Sequence, residues 1–316
     1  MFQLFKKRNF SELVGDTFTF FKMHGKHYYR NYFIVNGGFL LVLLVLVYFI
    51  MKVFFEGMFS NSGEMNAVGN NFDAYINDNL TLIITLGIIT AICILFLSLL
   101  SYAFPVAYLK LLEKKPDFET REIVNIIKSK VGKIIIFFIT SLFVFIPIML
   151  IVFGLSFVLV FLLIGIPLLM IVIPAMMSWY SLSFYDYIST EKGYFESLGT
   201  GFTLLKQKFW PTVGSTAVMY LIMQIVVGFI AMIPYMIGIF SFITAIETQN
   251  PTGPGTEQLS FLMIMMGLTM ILSILVNFIF QNFILVNQGI IYYSLREENE
   301  NNMQKSEIDL IGTQSE

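Results

Sequence analysis

Five long stretches of this chain carry no charged side chain: Asn31 to Met51, Asn79 to Leu109, Ile134 to Tyr185, Phe209 to Ile246, and Gln258 to Leu295. A helix crossing the hydrocarbon core of a bilayer needs about 20 predominantly apolar residues, so every stretch is long enough to span. The third has 52 residues; as one helix, at about 1.5 Å per residue, it would reach roughly 78 Å. It must fold back, with its turn near Gly154 or near Gly165-Ile166-Pro167, and the total becomes six spans. The last two stretches have 38 residues each, or about 57 Å as straight helices, so they project beyond the bilayer, tilt or break. Pro234 is a candidate break in the fifth span, with Pro105, Pro147 and Pro174 as candidates elsewhere. Composition points the same way. Only 13% of residues are charged, against about 25% in soluble domains, which leaves too few charges to wet a globular surface. The basic cluster Lys6-Lys7-Arg8 has no apolar run close behind it and no small-residue cleavage site, so the first span reads as a permanent anchor.

Lysine and arginine set the expected orientation. Of 19 such residues, 18 fall before the first span, between the second and third, between the fourth and fifth, or in the tail. The alternate loops, Gly57 to Asn79 and Glu247 to Glu257, hold none. The exception, Lys52, sits at the outer end of the first span, where it can snorkel. The positive-inside rule places both termini in the cytoplasm. Trp179 and Trp210 lie near cytoplasmic span ends, where interfacial anchors are expected. The outer loop from Gly57 to Asn79 is polar and carries no recognisable motif.

A repeat lies in the basic segments. Glu12, Gly15, Phe18, Thr19 and Lys22 match Glu196, Gly199, Phe202, Thr203 and Lys206 at one offset of 184 residues. Phe10, Val14, Phe18 and Phe21 correspond to Tyr194, Leu198, Phe202 and Leu205, at the spacing of one helix face. A looser third copy has Ile123, Val124, Ile126 and Ile127 as its apolar face, with Lys128 in the lysine position. Such segments read as amphipathic helices in the membrane interface. The expected fold is therefore all-α and integral to the membrane: six transmembrane helices as three hairpins, each preceded by a cytoplasmic amphipathic interfacial helix. Residues 1–296 form one six-span domain and residues 297–316 a disordered cytoplasmic tail.

The run Pro174-Ala-Met-Met-Ser-Trp-Tyr-Ser-Leu-Ser-Phe-Tyr-Asp186, followed by Glu196 to Lys206 and a long span, resembles a family of bacterial six-span membrane proteins. That family includes the membrane domain fused to some glycerophosphodiester phosphodiesterases. The resemblance implies the same architecture in a bacterial inner membrane. The fused catalytic domain has no counterpart here, because no soluble segment is long enough to hold it.

Chemistry is sparse. Cys93 lies inside an apolar run and reads as a small buried hydrophobe; one cysteine permits neither an internal disulfide nor a thiolate site. His24 and His27 sit beside the first interfacial segment, with no further metal ligand near in sequence, and read as solvated interfacial side chains. No span holds a histidine to serve as a base for a serine nucleophile, and no phosphate loop or membrane carboxylate pair is present. No catalytic group, cofactor or metal is expected. The informative polar pattern is in the sixth span. Ser273, Asn277, Gln281 and Gln288 form one stripe, with Asn282 and Asn287 beside it and Gln224, Tyr220, Ser101 and Tyr102 as facing candidates. The stripe is either interhelical hydrogen bonding or one wall of a polar cavity. The expected function is non-enzymatic binding of membrane lipids or partner proteins, not nucleic acid. The alternative is a permease for a small solute, which would use that cavity without an ionisable group at membrane depth.

Overall fold

The computed structural model describes residues 2–59, 68–160, 165–248 and 256–300. Among them the regular structure is helical throughout: α1 (Phe10–Phe59), α2 (Val68–Asp78), α3 (Leu80–Lys114), α4 (Thr120–Ser129), α5 (Val131–Val160), α6 (Gly165–Ser189), α7 (Tyr194–Gln207), α8 (Phe209–Thr248) and α9 (Thr256–Glu300). Six of these, α1, α3, α5, α6, α8 and α9, are long and apolar enough to cross a membrane. The protein is thus an all-α, multi-pass membrane protein. Its surface agrees, since Phe143, Leu150, Phe157 and Phe229 are each more than two-thirds exposed. Water would not tolerate a surface built of such residues.

Several expectations are corrected. The first repeat copy is not a separate helix, because α1 runs unbroken for 50 residues. None of the four candidate prolines ends its helix. Pro105, Pro147, Pro174 and Pro234 lie inside α3, α5, α6 and α8, where neighbouring groups can satisfy the freed carbonyls. Helix α5 ends at Val160 and α6 begins at Gly165, so Gly154 lies inside α5 and the helix boundary is nearer to the later alternative. Part of the outer loop is helix α2. At the far end, α9 continues through a buried Glu297 to Glu300; the rest of the expected tail, residues 301–316, lies outside the described residues.

The chain divides into two compact units: Met1–Val35, Ser101–Ile222 and Gln281–Glu316 make the first, Asn36–Leu100 and Met223–Phe280 the second. In the first unit, α5 packs on α6 and α6 on α7. Its core includes Tyr28, Tyr32, Phe104 and Tyr108, all with no exposed surface and meeting stacked, edge-to-face or tilted at 4.9–6.2 Å. Rings of this size dominate core burial and add a further increment for such geometry. In the second unit, Phe39 stacks on Phe96 at 6.0 Å, and Cys93 is buried with its thiol donating to the Phe39 carbonyl.

Candidate functional site

The repeat is written more clearly in burial than in sequence. At the offset of 184 residues, Leu13, Thr17 and Phe20 correspond to Ser197, Gly201 and Leu204, and all six are buried. The match continues into the following span, where Tyr28, Asn31 and Tyr32 correspond to Thr212, Ser215 and Thr216, again all buried. Thr19 and Thr203 each donate a hydrogen bond to the carbonyl four residues back, on Gly15 and Gly199, at 3.0 Å. Phe18 and Phe202 are both about two-fifths exposed, at 40% and 42%. The shared apolar face therefore points partly outward, and the buried face is the one bearing Leu13 and Ser197.

The third copy aligns differently from the sequence expectation. Asn9 and Glu12 cap the start of α1 reciprocally, Asn9 N–H to Glu12 Oε2 at 2.9 Å and Glu12 N–H to Asn9 Oδ1 at 3.0 Å. Glu119 and Glu122 form the equivalent capping box at α4. At that offset of 110 residues, buried Ile123 and Ile127 match Leu13 and Thr17. Lys128 then falls opposite Phe18 rather than Lys22. Glu196 holds the same third position after its cap, Gly193, in α7.

Polar groups of α9 meet this frame in the first unit. Asn287, fully buried, donates to the Leu13 carbonyl at 3.1 Å, Thr17 Oγ1 at 3.0 Å and Ser215 Oγ at 3.0 Å. Its two amide hydrogens are shared among three acceptors. Gln288 Nε2 donates to Thr216 Oγ1 at 2.7 Å, and Ser178 meets the same hydroxyl at 2.8 Å. Tyr28 donates to Asn282 Oδ1 at 2.8 Å, and Gln281 Nε2 donates to Tyr32 Oη at 3.3 Å. Tyr32 in turn donates to Ser101 at 3.0 Å. The stripe read in the sequence divides: Gln281 and Gln288 make interhelical hydrogen bonds. Ser273 bonds back to the Thr269 carbonyl of its own helix, while Asn277 and Gln224 are exposed. The hydrogen-bonding centres are Asn282 and Asn287, the residues beside the stripe.

The histidines are not solvated. His27 is half-buried, with Nδ1 2.9 Å from Tyr108 Oη and Nε2 3.1 Å from the Phe118 carbonyl. Nε2 also lies 3.1 Å from the Asn31 amide nitrogen, so the ring is held between the tyrosine hydroxyl, a carbonyl and a side-chain amide. His24 is also half-buried and rests between Phe2 and Phe20. Among the described residues no group of three potential metal ligands forms.

Charge divides into two kinds. Most basic side chains are engaged with protein. Arg8 is buried, bonded to the Gln3, Leu4 and Lys6 carbonyls and to Asp16 at 2.8 Å, and burial lowers its pKa. Lys130 and Lys133 both hold Glu191, keeping its carboxyl at about 2. Lys115 pairs with Glu122, Lys192 with Asp186 and Lys208 with Glu298. By contrast, Lys22, Lys26 and Arg30 are exposed and form no ion pair among the described residues. They recur every four residues along α1, so they share one face within about 80° of rotation. Phe33, 41% exposed, continues that face into the apolar part of the span. The spacing was readable in the sequence. What it could not show was which cations are already neutralised.

A cleft of ≈ 300 Å³ opens among α3, α5, α6 and α9, lined by Tyr102, Phe145, Met176, Tyr180, Ser181 and Gln281, among others. Nothing in the spacing of residues pointed to it, because its walls come from four separated segments. No protein-family model matches the chain, and no curated protein or solved structure does.

Proposed function

We propose that this chain is a non-enzymatic protein of the bacterial cytoplasmic membrane, with both termini cytoplasmic, that binds anionic phospholipid at the head of its first span. The observation that carries this reading is the unpaired row of Lys22, Lys26 and Arg30 leading into exposed Phe33 on one face of α1. Such a face suits a phosphate-bearing headgroup above and an acyl chain below. Each cation near an anionic leaflet contributes about 1 kcal/mol, so three favour anionic over neutral lipid by roughly two orders of magnitude at low salt. The bacterial membrane assignment rests on the similarity of Pro174 to Asp186 and Glu196 to Lys206 to bacterial six-span proteins. A permease reading draws no support from α9, where Gln281 and Gln288 bond to neighbouring helices, Ser273 bonds within its own helix and Asn277 is exposed.

The test is native mass spectrometry of protein extracted from membranes containing phosphatidylglycerol and phosphatidylethanolamine. The wild type should retain phosphatidylglycerol well above its bulk fraction. The combined K22Q, K26Q and R30Q variant should retain both lipids in the bulk ratio. Equal enrichment in the two proteins would overturn the proposal.

A further inference from the structure

We infer that the cleft among α3, α5, α6 and α9 is a second, separate lipid site that holds one acyl chain of a membrane phospholipid. Two hollows meet there. The cleft of ≈ 300 Å³ is lined by Tyr102 of α3, Phe145 and Met149 of α5, Met176, Met177, Tyr180 and Ser181 of α6, and Gln281, Ile284 and Leu285 of α9. An adjoining trough of ≈ 370 Å³ runs along α5 from Phe138 to Phe153 and shares Phe145, Met149 and Tyr180 with the cleft. The outer wall of the trough is exposed at Leu142, Ile146, Leu150 and Phe153. The floor of the cleft is buried at Phe145, Met176, Ser181 and Leu285. A chain lying in the trough therefore has a continuous path inward past Phe145.

Chemistry selects the occupant. No charged side chain lines either hollow, and the polar groups are the uncharged tips of Tyr102, Tyr180, Ser141, Ser181 and Gln281. Ser141 meets Tyr194 Oη, and Gln281 donates its amide to Tyr32. The lining holds no cation to bind a phosphate and no carboxylate to bind a metal ion, and the trough carries only Ser141 and the Tyr180 hydroxyl as polar side-chain groups. Protein interiors rarely leave gaps larger than a water molecule, and the trough wall, apolar apart from Ser141 and Tyr180, offers water few hydrogen-bond partners. Unfilled, its walls would lose their dispersion contacts on one side. Inside a membrane the available filler is hydrocarbon chain. The lengths agree as well: Phe138 to Phe153 covers about 22 Å of helix, enough for a chain that crosses half of a core about 30 Å thick. Methionines at three lining positions supply flexible, polarizable contacts suited to a chain of variable kink. This site is independent of the cationic face of α1.

Trp179 provides the measurement, since its ring lies 5.2 Å from Phe145 and its indole donates to the Leu198 carbonyl. In W210F protein, Trp179 is the remaining tryptophan. Adding one equivalent of phosphatidylcholine brominated on its acyl chain, in excess detergent, should quench most of the Trp179 emission. Dispersal of that lipid into micelles would leave the emission unchanged and would overturn the inference. Native mass spectrometry of the wild type after that addition should show one tightly retained phosphatidylcholine, and Ser181→Phe and, separately, Ile284→Trp should displace it. The K22Q, K26Q and R30Q protein should keep it. Retention unaffected by both filling variants would place the lipid elsewhere and refute the site. Because phosphatidylcholine carries no net charge, failure here leaves the anionic-lipid proposal standing, and the reverse also holds.

Discussion

At the scale of single residues, the decisive side chain is one amide. Asn287 joins three segments of the first unit: the start of α1 through Leu13 and Thr17, α8 through Ser215, and its own helix α9. Hydrogen bonds between membrane helices average about 0.6 kcal/mol and reach about 1.7. Stranding a buried partner costs about 1–3 kcal/mol. Asn287→Ala removes bonds to three acceptors at once, so it should cost about 1–2 kcal/mol of stability, at the upper end for a membrane protein. Asn287→Asp replaces the donor by an acceptor facing the Leu13 carbonyl, and should cost more than the alanine variant. Asn277→Ala, at an exposed position, should change stability little. Unfolding by denaturing detergent, followed by loss of helical circular dichroism, ranks the three. An Asn277 effect as large as that of Asn287 would contradict this arrangement.

At the scale of elements, the repeat explains where helices touch. Gly201 occupies the position of Thr17, and a methyl group there would lie 2.7 Å from the Ser183 nitrogen, below any real contact distance. Helix α7 can approach α6 this closely only because the residue is glycine. Gly199, two residues earlier and so on the opposite side of α7, has open space around it. Alanine at the two sites should therefore act with opposite sign. Gly201→Ala should destabilise by about 1–3 kcal/mol through overpacking. Gly199→Ala should stabilise by about 0.5–1 kcal/mol through helix propensity. Thermal unfolding in one detergent compares them directly, and destabilisation by both would count against the close α6–α7 contact as the cause. The same segments show what a sequence can and cannot reveal here. The identities from Glu12 to Lys22 and from Glu196 to Lys206 disclosed the repeat, because equal spacing needs no knowledge of the surroundings. The buried face was not readable, because beside lipid an apolar side chain such as Phe18 or Phe202 gains nothing by turning inward. The α9 stripe divides instead: Gln281 and Gln288 make interhelical hydrogen bonds to Tyr32 and Thr216, one of its two readings, while Ser273 bonds within its own helix and Asn277 is exposed. From Leu285 to Leu295 every residue is buried, so the helix has no outward face there and polar spacing carries no direction.

At the scale of the whole molecule, six spans require both termini to lie on one side of the membrane, and charge must choose the side. The loops expected outside hold no lysine or arginine, while 18 of 19 fall in the opposite segments or the tail. The asymmetry survives the finding that many of these cations are paired within the protein. Arg8 is internal, and Lys130 and Lys133 are held by Glu191. Lys22, Lys26 and Arg30 remain exposed, next to the start of the first membrane crossing, where the positive-inside bias acts most strongly. Orientation can be read with single cysteines in a Cys93→Ser background. Asp73 of α2 and Asp117, between α3 and α4, are both exposed, and their separation by the single span α3 puts them on opposite sides. Asp73→Cys should react with a membrane-impermeant maleimide in intact cells. Asp117→Cys should react only after the membrane is opened. The inverse pattern would turn the molecule over and remove the cationic face of α1 from the anionic cytoplasmic leaflet, ending the case for a headgroup site there. Labelling of both residues in intact cells would contradict the single α3 crossing itself.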